Sequence, residues 1–140
     1  MRVVIDTNVF ISALLFKGHS AKLLKHWQNG DFIFLICRQI LEEYIRVLNY
    51  PKFELSQEEI SSLVKEELLP FVQVVIVKEH VSVIKDDPSD DIFISAALAG
   101  RADAVISGDS HLLQIQQYEG IPVIGIKDFF ALLGDQQSES

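Results

Sequence analysis

The sequence predicts an α/β fold in which helices cover both faces of a central, mostly parallel sheet of about five strands. Short, nearly continuous apolar runs alternate with longer segments in which apolar residues recur every three or four positions. This alternation is typical of buried parallel strands that are joined by amphipathic helices. Glycine or proline stands near several of the boundaries, where either residue tends to end a helix or a strand. Parallel strands need right-handed crossovers, so the helices are expected on both sides of the sheet.

The first half of the chain is expected to hold two strands and three helices. Strand-length apolar runs occupy 2–5 and 32–37, and helical spacing covers 9–16, the segment after Ser20, and 40–48. Gly18 interrupts the first helix, Ser20 is a suitable N-cap for the second, and Gly30 is its expected end. Pro51 prevents the third helix from continuing, because proline lacks the N–H that a helix needs.

The second half is expected to add three strands and four helices. Ser56 and Glu59 have the spacing of a capping box, which opens a helix that ends near Pro70. The further strands are predicted over 71–77, 104–106 and 122–126, and the further helices over 92–99, 109–117 and 128–133. A polar loop over 86–91 precedes the helix that Gly100 ends. We therefore expect one domain over residues 1–134, followed by a disordered tail over 135–140.

The composition argues against a membrane protein and against a disulfide-stabilised secreted domain. None of the apolar runs approaches the roughly 20 residues that a membrane-spanning helix needs. The N-terminus enters the first strand at once, without the basic region and long apolar stretch of a signal peptide. Cys37 is the only cysteine, so one chain can form neither an internal disulfide nor a cysteine-based zinc cluster. A soluble protein in the cytoplasm is expected.

The charge is distributed unevenly along the chain. A net charge of -8 argues against binding nucleic acid by bulk attraction, because lysine and arginine make the phosphate contacts. Residues 1–52, however, carry seven basic side chains against four acidic ones, whereas residues 53–140 carry five against sixteen. The N-terminal part is therefore able to present a basic rim beside an acidic centre.

Three acidic clusters are predicted to meet at one edge of the sheet. Asp6 follows the first strand, Asp109 follows the fourth, and Asp90 opens the helix after the third. Ligands of such sheets bind beyond the carboxyl ends of the strands. Carboxylates that lie close together repel unless a cation lies among them. Mg²⁺ and Mn²⁺ prefer carboxylate oxygen and water, and they promote attack of water on phosphodiesters. The acidic residues therefore predict metal-dependent phosphodiester hydrolysis.

Glu43 is the fourth candidate ligand. It lies at the rim of the apolar face of the helix over 40–48, whereas Glu42 has the i, i+4 spacing for an ion pair with Arg46. This spacing favours Glu43 over Glu42 for the site.

Three stretches of the chain carry a resemblance to a known family. They are, in order, VVIDTNVFISALLF, LEEYIRVL followed by Pro51-Lys52-Phe53, and DPSDDIFISAALAGRADAVISGDSHLL. From Val3 to about Phe130, the chain resembles the PIN-domain family and, more narrowly, the VapC-like toxins of toxin-antitoxin modules. A single aspartate after a strand is weak evidence, but these stretches occur together and in the family order.

The resemblance implies a PIN-like three-layer α/β/α sandwich and a Mg²⁺- or Mn²⁺-dependent endoribonuclease that uses one or two ions. It implies that four acidic residues bind the metal and carry catalysis: Asp6, Glu43, Asp90 and Asp109. Asn8 and Ser107 match supporting polar positions of the family. The resemblance also implies an RNA substrate, a homodimer, and an antitoxin protein that covers the acidic cleft.

Several positions have more than one interpretation. Asp91 would replace Asp90 if the helix begins one residue later, and it otherwise supports the ligands; the seven-residue spacing to Ala97 favours Asp90. Asp103 either supports the ligands as well or bonds backbone amides at the start of a strand. Asp6 or Asp109, taken alone, is more typical of a helix N-cap. Three basic side chains either contact RNA phosphates or form solvated helix faces: Lys17, Lys22 and Arg46.

Two other functions remain open. A haloacid-dehalogenase-like phosphatase also has an aspartate after its first strand, but it needs a second one two residues later, where this chain has Asn8. A non-catalytic α/β binding module derived from a nuclease is the other alternative. The sequence contains neither a GxGxxG nor a GxxxxGKS/T loop that would hold a nucleotide.

Overall fold

The computed structural model describes residues 1–78 and 91–134. Within these ranges there are six strands: β1 (Arg2–Ile5), β2 (Ile33–Ile36), β3 (Val72–Val74), β4 (Ala104–Ile106), β5 (Gln117–Tyr118) and β6 (Ile121–Ile124). They form one sheet in the order β3-β2-β1-β4-β6-β5. Neighbouring strands are parallel, except that β5 and β6 are antiparallel. The predicted α/β class with a mostly parallel sheet is confirmed.

Seven α-helices flank this sheet in the described part of the chain. They are α1 (Thr7–Leu15), α2 (Ala21–Asn29), α3 (Arg38–Leu48), α4 (Gln57–Ser62), α5 (Asp91–Ala99), α6 (Ser110–Ile115) and α7 (Ile126–Leu132). The helices and the sheet form the predicted three-layer α/β/α sandwich. No helix in residues 1–78 and 91–134 has both the length and the apolar character needed to cross a membrane.

The central strand β1 directs its carboxyl end towards the candidate site. Val3 pairs with Phe34 of β2 on one side and with Ala104 of β4 on the other. Val3, Val4 and Ile5 have no exposed surface. A strand that is buried on both faces has a continuous apolar sequence, which is why this strand could be predicted. Asp6 follows directly, where the chain leaves the core.

Aromatic side chains fix the helices that carry the site. The ring of Phe10 in α1 stacks on Tyr44 of α3, with centroids 3.9 Å apart, and on Trp27 of α2 at 5.7 Å. All three side chains are at most 1% exposed. Buried stacked rings contribute both their apolar area and about 0.5–1.5 kcal/mol per pair beyond it. This packing fixes α1 and α3 relative to each other and therefore positions the polar residues that they carry.

Two helices start differently from the prediction. α1 begins at Thr7 rather than at residue 9, because the Asp6 side chain caps it. Ser20 precedes α2 as predicted, but its backbone is helical and its side chain makes no capping hydrogen bond. The N–H of Leu23 instead bonds the carbonyl of Ser20, within a turn that extends back to Gly18. The prediction of a Ser20 side-chain cap was wrong.

The helix predicted between Ser56 and Pro70 begins as expected. The Ser56 hydroxyl accepts the N–H of Glu59 at 3.1 Å, and the Glu59 carboxylate accepts the N–H of Ser56 at 2.9 Å. Both halves of the capping box are therefore present, and the prediction is confirmed.

The continuation of that helix is not α-helical. α4 widens into a π-helical segment, Leu63–Leu68, and ends in a 3-10 turn, Leu69–Phe71. Pro70 has no N–H, so the carbonyls before it need other donors. The indole N–H of Trp27 donates to the Glu67 carbonyl at 2.9 Å. A contact with α2, which lies far away in the sequence, therefore stabilises the irregular end.

Gly30 and Gly100 follow helices as predicted, but for different reasons. Gly30 has a φ of 76° and ends α2 in the left-handed region, which a residue without Cβ adopts easily. Gly100 is not left-handed; the left-handed residue after α5 is Arg101, with a φ of 53°. A Cβ at Gly100 would lie 2.9 Å from a side-chain carbon of Leu35 and 3.0 Å from one of Val75. Glycine therefore fits there because α5 packs closely on the sheet, and a larger residue would require these side chains to shift.

The sheet has one strand more than the prediction, and another strand is shorter. β5 pairs with β6 through only two residue pairs, Gln117 with Pro122 and Tyr118 with Ile121. β3 covers Val72–Val74 instead of 71–77. Of the predicted loop over 86–91, Asp91 is the first residue of α5; the rest of that loop and the predicted disordered tail over 135–140 lie outside the described residues.

Candidate functional site

Asp6 links the start of α1 to the loop after β4. Its side chain is 2% exposed, and its carboxylate accepts three hydrogen bonds. Oδ1 accepts the N–H of Val9 at 2.9 Å, which caps α1. Oδ2 accepts the N–H of Gly108 at 3.1 Å and the hydroxyl of Ser107. The two aspartate oxygens thus hold together two elements that are about a hundred residues apart in the sequence.

The loop after β4 supplies a second aspartate to the same edge. Ser107 is fully buried, and its Oγ accepts the N–H of Asp109 at 2.9 Å while it donates to Asp6. Oδ1 of Asp109 accepts the N–H groups of His111 at 2.8 Å and Leu112 at 3.2 Å, which caps α6. The N-cap interpretation is therefore correct for Asp6 and Asp109. In the described part of the chain, no donor bonds Oδ2 of Asp109, so capping leaves one oxygen for a ligand.

The Asp6 carboxylate is held where its charge is unfavourable. Burial raises its pKa above the ordinary 3.8, and the nearby charge of Asp109 raises it further. The hydrogen bonds from Ser107, Val9 and Gly108 lower the pKa but do not offset the burial. A positive charge between Asp6 and Asp109 would oppose both unfavourable effects. The pair therefore suits a cation.

Glu43 lies against the start of α1. Its Oε2 is 3.5 Å from the hydroxyl of Thr7, and its Oε1 accepts two hydrogen bonds from Arg46, at 2.6 and 2.9 Å. The Glu43 side chain is only 15% exposed, whereas that of Arg46 is 56% exposed. The remaining guanidinium nitrogen of Arg46 donates to the Tyr50 hydroxyl at 2.7 Å. The hydrogen bonds to Glu43 and Tyr50 raise the pKa of Arg46, so it remains a cation.

The predicted ion pair between Glu42 and Arg46 was wrong. Arg46 pairs with Glu43, three residues earlier, and Glu42 instead lies 3.9 Å from Arg38 at the i, i+4 spacing. Residues three and four apart are both neighbours on a helix, so spacing alone cannot choose between them. The sequence argument for Glu43 therefore keeps only its position at the rim of the apolar face; in the structure, Glu43 Oε2 also lies 3.5 Å from the hydroxyl of Thr7.

Tyr44 secures the strand that carries Asp6. Its side chain is fully buried, and its hydroxyl donates to the carbonyl of Ile5. Burial raises the pKa of Tyr44 well above the ordinary 10, and the charges of Asp6 and Cys37 raise it further. The hydroxyl therefore stays protonated and acts as a donor. Sequence reasoning missed Tyr44 and Thr7; the available signals were one hydroxyl on an apolar helix face and a threonine directly after Asp6.

The donor set is chemically suited to Mg²⁺ or Mn²⁺, although the described residues form only part of it. The three described acids offer hard carboxylate oxygens, which these ions prefer. In residues 1–78 and 91–134, no three metal-binding side chains stand close enough together to hold an ion by themselves. Asp90, the fourth predicted acid, lies outside the described residues. Asp91 begins α5 and is 9% exposed.

The other predicted residues have different locations. Asn8 is exposed in the first turn of α1. Asp103 accepts the N–H of Arg2 at 2.7 Å and so bonds the start of β1, at the opposite end of the strand from Asp6. The alternative in which Asp103 bonds backbone amides is confirmed, and its location corrects the alternative in which it supports the metal ligands. Lys17 is exposed between α1 and α2, and Lys22 is half-buried in α2.

Comparison with known proteins identifies the family. The family model described as PIN domain matches residues 2–111, which include Asp6, Glu43 and Asp109. This chain belongs to the PIN domain family. PIN domains are generally nucleases and typically use divalent metal ions. The haloacid-dehalogenase-like alternative receives no support from this comparison.

Solved structures share the PIN fold at low sequence identity. The crystal structure of PAE2754 from Pyrobaculum aerophilum superposes with a TM-score of 0.63 at 15% identity, covering 96% of this chain and 90% of that one. The crystal structure of VapBC2 from Rickettsia felis, bound to a DNA fragment from their promoter, superposes with a TM-score of 0.59 at 12% identity. That match covers 89% of this chain and 98% of the other. No curated protein matches the sequence.

Proposed function

We propose that this PIN domain is a metal-dependent endoribonuclease and the toxin of a toxin-antitoxin module. The buried Asp6 carboxylate supports the proposal most directly, because burial and Asp109 make its charge unfavourable without a cation. A residue needed only as a helix cap gains nothing from a second negative charge beside it. Structural similarity to VapBC2 supports the toxin assignment at the level of the fold.

The proposed mechanism assigns separate tasks to the residues of the site. Asp6, Glu43 and Asp109, with Asp90, would hold one or two Mg²⁺ or Mn²⁺ ions. When bound, such ions activate water and stabilise the charge that develops on the phosphate oxygens. Ser107 keeps the Asp6 carboxylate in place through its hydroxyl.

Charge neutralisation explains why the metal would be needed for binding as well as for the reaction. An RNA phosphate that approaches Asp6 and Asp109 meets two carboxylates and is repelled. Arg46 would help to place the phosphate, since its exposed guanidinium lies directly beside Glu43. An antitoxin that covers this acidic edge and a homodimer belong to the same proposal.

Cleavage of a labelled unstructured RNA tests the enzymatic part. We expect cutting with Mn²⁺ or Mg²⁺, none after addition of a chelator, and a loss of at least a hundredfold in Asp6→Asn and Glu43→Gln. Asp31→Asn is the matched control, because Asp31 is an exposed aspartate that contacts His26 and should retain full activity. Cutting that persists in the chelator or in Asp6→Asn would refute the metal assignment.

Absence of cleavage would favour the other remaining alternative. If purified protein cuts neither RNA nor single-stranded DNA with any of these ions, a non-catalytic binding module becomes the better interpretation. Co-expression with the protein encoded by a neighbouring short reading frame tests the toxin role. Growth arrest that this protein relieves would support it, and normal growth without that protein would contradict it.

A further inference from the structure

Aromatic side chains are exposed just beyond the C-terminal ends of α1 and α3. Phe16 is 52% exposed and Tyr50 is 37% exposed, and the Phe16 ring lies 6.2 Å from that of Phe53 at an angle of 52°. The ammonium of Lys52 is 5.1 Å from the centre of the Phe53 ring, and the guanidinium of Arg46 is 5.6 Å from that of Tyr50. These five residues form an aromatic-basic surface.

The aromatic-basic surface is connected to the candidate site by direct contacts. Arg46 donates to Tyr50 at 2.7 Å and to Glu43 at 2.6 Å. Tyr50 follows α3, and at about 1.5 Å per residue it lies roughly 10 Å beyond Glu43 along that helix. Phe16 follows α1, so at the same rise it lies roughly 14 Å along that helix from Thr7, the residue that contacts Glu43. A strand with a phosphodiester at the acids would therefore reach this surface within a few nucleotides.

The mixture of rings and cations indicates one class of ligand. A purely apolar partner would have to bury the charge of Lys52, which is costly unless that charge is paired. A nucleic-acid strand offers aromatic bases for the rings and phosphates for the cations. The surface also lies in the part of the chain where basic residues outnumber acidic ones.

A groove next to Phe16 contains two glutamates. It is lined by Leu15, which precedes Phe16 in the sequence, by Leu55, and by Glu58 and Glu59. These carboxylates repel phosphates, so the backbone of a bound strand would avoid the groove.

We propose that the aromatic-basic surface binds unpaired bases of single-stranded RNA next to the phosphodiester at the acidic edge. The inference rests on the proposed ribonuclease function and adds a base-binding surface outside the acidic residues, at the ends of α1 and α3. Duplex RNA hides the faces of its bases and would not use the rings.

Fluorescence anisotropy with two labelled oligomers of equal length tests the inference. One is an oligouridylate and the other is the same sugar-phosphate chain without bases. Both are measured with Ca²⁺ in place of Mg²⁺ or Mn²⁺, so that a hard divalent cation can neutralise the acidic edge while the ions proposed for hydrolysis are absent. We expect Phe16→Ala to weaken oligouridylate binding about tenfold and to leave binding of the base-free chain unchanged. Phe16→Trp should retain tight binding, because it keeps a larger ring.

The controls separate this inference from its premise. Leu69→Ala removes another exposed apolar side chain, 39% accessible, and should bind both oligomers like the parent. Two results would overturn the inference even if RNA is still cut: equal affinity of the parent for the two oligomers, or an oligouridylate affinity that is unchanged in Phe16→Ala. A protein partner would then be the better occupant of this surface. Failure of the parent protein to cut RNA at all would instead remove the proposed function.

Discussion

Asp6 has two functions within one side chain. Its Oδ1 caps α1, and its Oδ2 gathers the Ser107 hydroxyl and the Gly108 N–H from the loop after β4. Each of these bonds compensates part of the cost of burying a carboxylate, which for an unpaired ion is prohibitive. The remaining penalty, reported by its raised pKa, is what a bound cation would relieve.

Ser107→Ala should separate support of Asp6 from binding of the ion. The change removes a hydroxyl that donates to Asp6 and accepts from Asp109. Loss of a hydrogen bond to a buried charged group costs about 1.5–3 kcal/mol, so urea denaturation should give a lower free energy of unfolding. Cleavage should fall about tenfold or more. Ser110→Ala, at an exposed serine, is the matched control, and equal stability of the two variants would contradict the bond.

Tyr44→Phe should destabilise the fold although it removes only one oxygen. The buried carbonyl of Ile5 would lose its side-chain donor, which costs about 1–3 kcal/mol, while the stacking on Phe10 is kept. Tyr50→Phe makes the same change at an exposed ring and should alter the free energy of unfolding by less than about 0.5 kcal/mol. Chemical denaturation of both variants decides the point. A smaller effect at Tyr44 than at Tyr50 would refute it.

Some single-residue roles could be predicted from the sequence and others could not. The positions of Asp6 and Asp109 could be predicted, because Asp6 directly follows a buried strand and Asp109 lies three residues beyond another. The Arg46 partner was not, because Glu42 and Glu43 occupy equivalent helical neighbour positions. The contact of Tyr44 with Ile5 depends on how α3 packs on β1, which no local pattern contains.

At the scale of single elements, α4 illustrates the division between local and distant causes. Its start is encoded by Ser56 and Glu59, three residues apart, and could be predicted. Its π-helical continuation is stabilised by Trp27, forty residues earlier in the chain. β5 was missed for the related reason that its two residues acquire their conformation only by pairing with β6.

The capping box should make stability depend on pH. Hydrogen bonds from Ser56 lower the pKa of Glu59 below its ordinary 4.5. A carboxylate with a lowered folded-state pKa stabilises the protein above its unfolded-state pKa, and this contribution is lost as the pH falls through the folded-state value. Below about pH 4.5, the stability of the parent should therefore decline more than that of Glu59→Gln.

Ser56→Ala tests the other half of the capping box, the serine side chain. Removing a serine N-cap costs about 1 kcal/mol, so thermal unfolding at neutral pH should occur at a lower temperature. Ser61→Ala, within the same helix but outside its cap, is the control. Identical pH profiles for the parent and Glu59→Gln would show that the ionisation of Glu59 contributes nothing to stability.

At the scale of the whole molecule, the fold class could be predicted from the sequence because buried parallel strands are short, continuous apolar runs. The sequence patterns predicted that β1, β2, β4 and β6 occur in this order along the chain, with helices between them. Patterns alone do not contain the register that brings Asp6 beside the loop after β4, which depends on Val4 pairing with Val105.

The overall charge predicts a weak salt dependence of RNA binding. With a net charge of -8, attraction must come from a few local cations, for which Lys17, Arg46 and Lys52 are the candidates. Three phosphate contacts on a single strand predict a slope of roughly -2 for the logarithm of the association constant against that of the salt concentration. Anisotropy titrations at several salt concentrations measure this slope. A value near -6 would require a broad basic surface that the sequence does not provide.

Asp6 bonds both α1 and the loop after β4, so the fold needs it for structural reasons. Its presence in a related sequence is therefore weak evidence that the protein is an active enzyme. A descendant that lost the proposed activity would still need this aspartate to keep its architecture. The bonds of Glu43 to Thr7 and to the exposed Arg46 are weaker structural constraints. Under the proposed function, active and inactive members of such a lineage should therefore differ at Glu43.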